Sequence, residues 1–169
     1  MAKLKSENLE LEFKLLECHK YDLMEYDFRC TLTWKGIPVL NDKAFKRSTS
    51  YWKKGSDGGI IGEEMDSFSL ITELEEAVKT KEMRIWESWP DPDMCVAIYP
   101  NRCFPDLITP DQEYHTIIFS PDVYQFRDMD CYSGYEGVSF VMTPTEEMLI
   151  QFINDLKKEL LEIEKGIKD

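Results

Sequence analysis

The string Trp86-Glu87-Ser88-Trp89-Pro90-Asp91-Pro92-Asp93 carries the residue types best suited to recognition chemistry in this chain. Its two prolines hold Asp91 and Asp93 in extended or turned backbone, because the pyrrolidine ring fixes its own φ and biases the preceding residue away from helix. Carboxylates beside indoles suit a partner that presents Arg or Lys: tryptophan concentrates binding energy at interfaces, and aspartate accepts charge-assisted hydrogen bonds. Glu87, Trp89, Asp91 and Asp93 are therefore candidate partner-binding residues. The plain structural alternative is a hairpin turn with Trp86 in the core and the aspartates in water.

A second acidic string, Asp128-Met129-Asp130, adds Asp128 and Asp130 to the candidates. Brought together with Asp91 and Asp93 it would offer oxygen ligands to a hard cation. Neither string continues with the Gly and terminal Glu of an EF-hand loop, so no metal site and no cofactor is assigned from the sequence. His19 and His115 are the only imidazoles. Zinc needs three or four ligands and Cys–His catalysis a positioned pair, so a set such as His115 with Cys103 and Cys131 would have to be assembled by the fold. No catalytic residue is assigned. The segment Gly55-Ser56-Asp57-Gly58-Gly59 lacks the Lys-Ser/Thr of a phosphate cradle and reads as a flexible loop near 53–65.

Charge separates the classes of partner. Residues 55–136 hold 18 acidic against 5 basic side chains, a balance equal to the net charge of the whole chain, −13. A surface of that sign repels phosphate backbones and attracts basic proteins or cations, so nucleic acid is not an expected partner. The basic aromatic segment 43–54 is expected to pair with acidic surface instead. Glu73, Glu75, Glu76, Glu159, Glu162 and Glu164 read as solvated helix faces that extend the acidic surface.

The elements that must position these residues follow from periodicity. With 169 residues, 43% of them hydrophobic, the chain suits one domain with one core. Leu9, Leu11, Phe13 and Leu15 alternate with charges, as do Tyr26, Phe28, Cys30, Leu32 and Trp34, which predicts two half-buried strands. Lys35-Gly36 offers a tight turn into 37–40. Leu70, Ile71, Leu74, Ala77 and Val78 mark a helix of about three turns, capped by Asp66, Ser67 or Ser69. Strand-like runs return at 83–86, 94–99, 114–119, 123–126 and 135–142. Thr143, Pro144 and Glu146 predict the cap, first residue and capping box of a long final helix, whose stripe is Met148, Leu149, Phe152, Ile153, Leu156, Leu160, Ile163 and Ile167.

The fold expected is α+β: a mainly antiparallel sheet of about six to eight strands covered by two helices, the longer one C-terminal. No apolar run approaches a membrane span and the first residues form no signal segment, which predicts a cytoplasmic protein. Five widely spaced cysteines without a Cys-x-x-Cys pair predict reduced thiols acting as small hydrophobes.

The strands leading into Trp89-Pro90-Asp91-Pro92-Asp93, followed by Gly137-Val138-Ser139-Phe140-Val141-Met142 and the helix-opening Thr143-Pro144-Thr145-Glu146-Glu147-Met148, resemble small acidic bacterial immunity-type proteins encoded beside polymorphic toxins. The likeness covers the last half of the chain. It implies a cytoplasmic inhibitor that binds a toxin, and it transfers no functional position.

The function expected is thus a non-enzymatic binding protein whose acidic surface docks a basic protein. Two alternatives compete with it. One is a small enzyme or ligand-binding domain with a site near the 100–112 loop, using His115, Asp106 or a bound metal. The other is a structural subunit of a larger assembly, whose sign would be an exposed apolar helix face.

Overall fold

The computed structural model describes residues 1–20, 23–39, 60–88, 94–101, 114–121 and 139–167. Among the described residues two antiparallel sheets and two helices share one apolar core. The first sheet runs β1 (Ala2–Lys5), β2 (Leu9–Lys20), β3 (Met24–Trp34) and β4 (Ile37–Pro38), and β5 (Ile60–Met65) also pairs with β3. The second sheet is a meander of β6 (Arg84–Glu87), β7 (Met94–Tyr99), β8 (Thr116–Pro121) and β9 (Phe140–Met142). Helix α1 (Leu70–Thr80) links the two sheets, and α2 (Glu146–Glu164) closes the chain as the longer helix.

Alternation builds the core as the sequence predicts. Leu11, Phe13 and Leu15 on β2 and Tyr26, Phe28, Cys30 and Leu32 on β3 are all buried. The β3–β4 connection is the two-residue turn Lys35-Gly36, with φ of 49° and 78°. Both angles are positive, as a turn matched to the strand twist requires, and glycine takes the second position without a Cβ penalty. Helix α2 packs on β1 and β2, and α1 on β6 and β7. The sheets meet through four aromatic rings. Trp86 of β6 lies 5.9 Å from Phe28, 6.4 Å from Phe13 and 6.2 Å from Phe68, centroid to centroid.

Several expectations change. The strands divide into two sheets, not one, and nine strands lie within the described residues. β1 was hidden by its shortness: only Ala2 and Leu4 face inward. Of the loop expected near 53–65, residues 53–59 lie outside the described residues, and Ile60–Met65 pair with β3 from Cys30 to Glu25. The runs expected at 123–126 and 135–138 also lie outside them.

The N-cap of α2 is Thr145, whose side chain accepts the Met148 N–H at 3.3 Å; Thr143 does not cap, and no capping box forms. Two contacts hold this segment extended. Thr143 donates its N–H to Ser6 Oγ at 3.1 Å, and the Pro144 carbonyl accepts the His115 N–H at 2.9 Å. Helix cannot begin until these are passed, so Glu146 becomes its first residue and Met148 turns outward, 45% exposed.

Glu159 is a further correction. The sequence places it on a solvated face, whereas it is buried and completes the stripe of Leu149, Phe152, Ile153 and Leu156. Its Oε2 accepts the Leu15 N–H at 3.1 Å, two residues beyond the last β1–β2 pair, and it also pairs with the Met1 amino group. The carboxylate thus satisfies a backbone donor that the sheet edge leaves over. Glu159→Ala is expected to lower unfolding free energy by about 1–3 kcal/mol in urea titrations, since a buried donor loses its acceptor. No helix among the described residues is long and apolar enough to cross a membrane.

Candidate functional site

The end of β5 places a carboxylate where alternation calls for an apolar side chain. Glu64 pairs with core-facing Tyr26 on β3 and is only 2% exposed. Its Oε1 accepts three hydrogen bonds: from the Ser69 N–H at 3.0 Å, the Ser69 hydroxyl at 2.5 Å and the Trp86 indole N–H at 3.1 Å. Its Oε2 is buried without a hydrogen-bond partner among the described residues. Ser69 is the N-cap of α1, yet its hydroxyl serves Glu64 and makes no capping bond.

Glu64 forms part of the wall of a pocket of about 300 Å³, together with Leu23, Met65, Asp66, Ser67, Ser69 and Glu87. Three chain segments meet there: the entry to β3, the β5–α1 connection and the end of β6. Asp66 turns the chain out of β5 in the left-handed region, with φ of 74°, a conformation that aspartate tolerates better than most residues. Among the described residues the lining thus holds three acidic residues, Glu64, Asp66 and Glu87, with the apolar Leu23 and Met65 and no Lys or Arg.

Burial pushes the Glu64 carboxyl above the usual carboxylate range, against the opposing pull of the Ser69 and Trp86 donors. A group whose folded value is raised contributes most below its unfolded value and loses that contribution as pH rises through the folded value. Against a Glu64→Gln variant, wild-type stability is expected to fall between acid and neutral pH, a trend that paired urea titrations would measure. A cation in the pocket would act in the opposite direction, favouring the ionised carboxylate.

Of the sequence-predicted site residues, Glu87 is at this pocket, at the exposed end of β6 opposite Cys95. Trp89, Asp91, Asp93, Asp128 and Asp130 lie outside the described residues. Trp86 takes the core position of the structural alternative, and Ser88 donates its N–H to the Met94 carbonyl at 3.2 Å where β6 joins β7. Sequence reasoning missed Glu64, Asp66, Ser69 and Leu23. The one legible signal for Glu64 and Asp66 as site residues was the acidic excess of residues 55–136, and Asp66 and Ser69 were legible only as candidate caps of α1.

His115 is fully buried. Its Nδ1 accepts the Asn101 N–H at 3.3 Å, which leaves the proton of a neutral ring on Nε2, 3.4 Å from Glu146 Oε2. Glu146 also pairs with Lys81, so the imidazole ties the second sheet to the facing ends of α1 and α2. That placement gives it a bridging role among the described residues. Cys103, Cys131 and Asp106 lie outside the described residues. Burial pushes the Cys95 thiol up to about 11, and the Cys30 thiol upward as well, consistent with inert packing groups.

No protein family, curated protein or solved structure matches this chain in sequence or fold comparisons.

Proposed function

We propose that this chain is a non-enzymatic binding protein, an inhibitor of the immunity type acting in the cytoplasm, and that its pocket receives an arginine or lysine side chain of a basic partner. The observation that carries the reading is the buried, incompletely bonded Glu64 carboxylate in a pocket wall shared with Asp66 and Glu87. A buried polar oxygen without a partner costs free energy in the isolated protein, and an entering cation recovers part of it. Leu23 and Met65 suit the aliphatic stem of such a side chain while its charged head meets the carboxylates. Arginine fits better than lysine because its planar fork donates to two carboxylate oxygens at once. The net charge of −13 supports fast, salt-sensitive encounter with a basic surface.

The reading is tested by titrating the protein with a short arginine-rich peptide, with a lysine peptide in parallel, while following the Trp86 indole N–H by NMR. That proton is bonded to Glu64 and so reports on its carboxylate. A saturable shift that weakens with salt and favours arginine is expected. No shift at low salt would contradict the proposal.

A further inference from the structure

We propose that Glu17, His19 and Asp27, on the outer face of the first sheet, form a binding site for a divalent first-row transition-metal ion. The site is independent of the acidic pocket and shares no residue with it.

A single irregularity in β2 creates the cluster. The register between β2 and β3 shifts between Leu15 and Glu17, the signature of a β-bulge. Up to that point odd-numbered residues face the core, as buried Leu11, Phe13 and Leu15 show. The extra residue reverses the phase, because side chains alternate with a strict period of two. Beyond it Cys18 packs on the core, while Glu17 and His19 share the outer face. Glu17 then stands directly opposite Asp27 on β3, with His19 one pair further along opposite Glu25. A continuous ladder would have put Glu17 and His19 on the buried side.

The distances suit one ion. His19 Nε2 lies 3.3 Å from Glu17 Oε2 and 3.8 Å from Asp27 Oδ2, and the three donor atoms all lie within 4.8 Å of one another. Donors about 2.1 Å from a shared tetrahedral ion stand roughly 3.4 Å apart, so small rotamer adjustments close the set. One imidazole with two carboxylates matches the ligand preferences of zinc, cobalt or manganese, and their two negative charges balance a divalent ion. The side chains are accessible, at 56% exposure for Glu17, 35% for His19 and 20% for Asp27, so water would complete the coordination. The competing state is His19 paired with the two carboxylates, with no metal.

The test uses the full, tag-free chain and zinc. With only two histidines, each imidazole can be followed separately by nitrogen NMR. One equivalent of zinc is expected to shift the His19 ring nitrogens and leave those of buried His115 in place, His115 also reporting that the fold is intact. Glu17→Gln with Asp27→Asn should weaken zinc binding at least about tenfold, since even outer-shell partners of metal ligands contribute about 10–100-fold. Cobalt should bind without a thiolate charge-transfer band. A His19 signal unmoved by excess zinc, a shift that survives loss of both carboxylates, or a thiolate band at stoichiometric cobalt would each overturn the proposal.

Discussion

Trp86→Ala is expected to lower unfolding free energy by about 3–5 kcal/mol, the range for truncating a large buried aromatic side chain. Trp86 is 2% exposed and touches Phe28 and Phe13 from the first sheet and Phe68 from the connection into α1. Removing the indole therefore opens a cavity at the seam between the sheets, where neither sheet alone can collapse to fill it. It also removes one of the donors that favour the ionised form of Glu64. Trp86→Phe separates the two effects: most of the volume stays, and only the N–H is lost. Its cost should be about 1–3 kcal/mol, with the Glu64 carboxyl moved further upward. Urea unfolding followed by circular dichroism measures both variants. A Trp86→Ala cost within experimental error would mean that the sheets do not share a core.

Replacing Asp66 by Asn and Glu87 by Gln together is expected to reduce affinity for an arginine-bearing partner at least about tenfold at low salt. A hydrogen bond to a charged group contributes about 1.5–3 kcal/mol, and about 1.4 kcal/mol is tenfold in affinity. The double variant leaves Glu64 in place, so its buried bonds to Ser69 and Trp86 persist. The dissociation rate should rise if both carboxylates grip the bound side chain. A loss confined to the association rate would assign them to steering alone. Isothermal titration with the arginine-rich peptide, and then with a basic partner captured at low salt, measures the effect.

Local pattern made much of the fold legible. β2 and β3 alternate cleanly, Lys35-Gly36 has the turn chemistry of a two-residue hairpin, and the apolar spacing of α1 and α2 is helical. Features set by distant contacts were not legible. The start of α2 depends on Ser6 and His115, which tie down Thr143 and Pro144 from elsewhere in the chain. Glu159 reads as solvated because its role is to satisfy Leu15, 144 positions away. β5 escaped recognition because its inward position carries Glu64 in place of an apolar residue, and that same departure from pattern marks the pocket. The β-bulge in β2 was invisible for a related reason, since Leu15-Leu16-Glu17-Cys18 gives no sign of which residue leaves the ladder.

A cation entering the pocket would act on the buried carboxylate of Glu64. The most direct measurement is a carbon NMR titration of the Glu64 side-chain carboxyl, made with and without the arginine-rich peptide. The free protein should titrate above the usual carboxylate range, and bound peptide should draw that value down, because a neighbouring positive charge favours the ionised form. A Glu64 titration unchanged by saturating peptide would contradict the account, and would leave this carboxylate a structural bridge between Ser69 and Trp86.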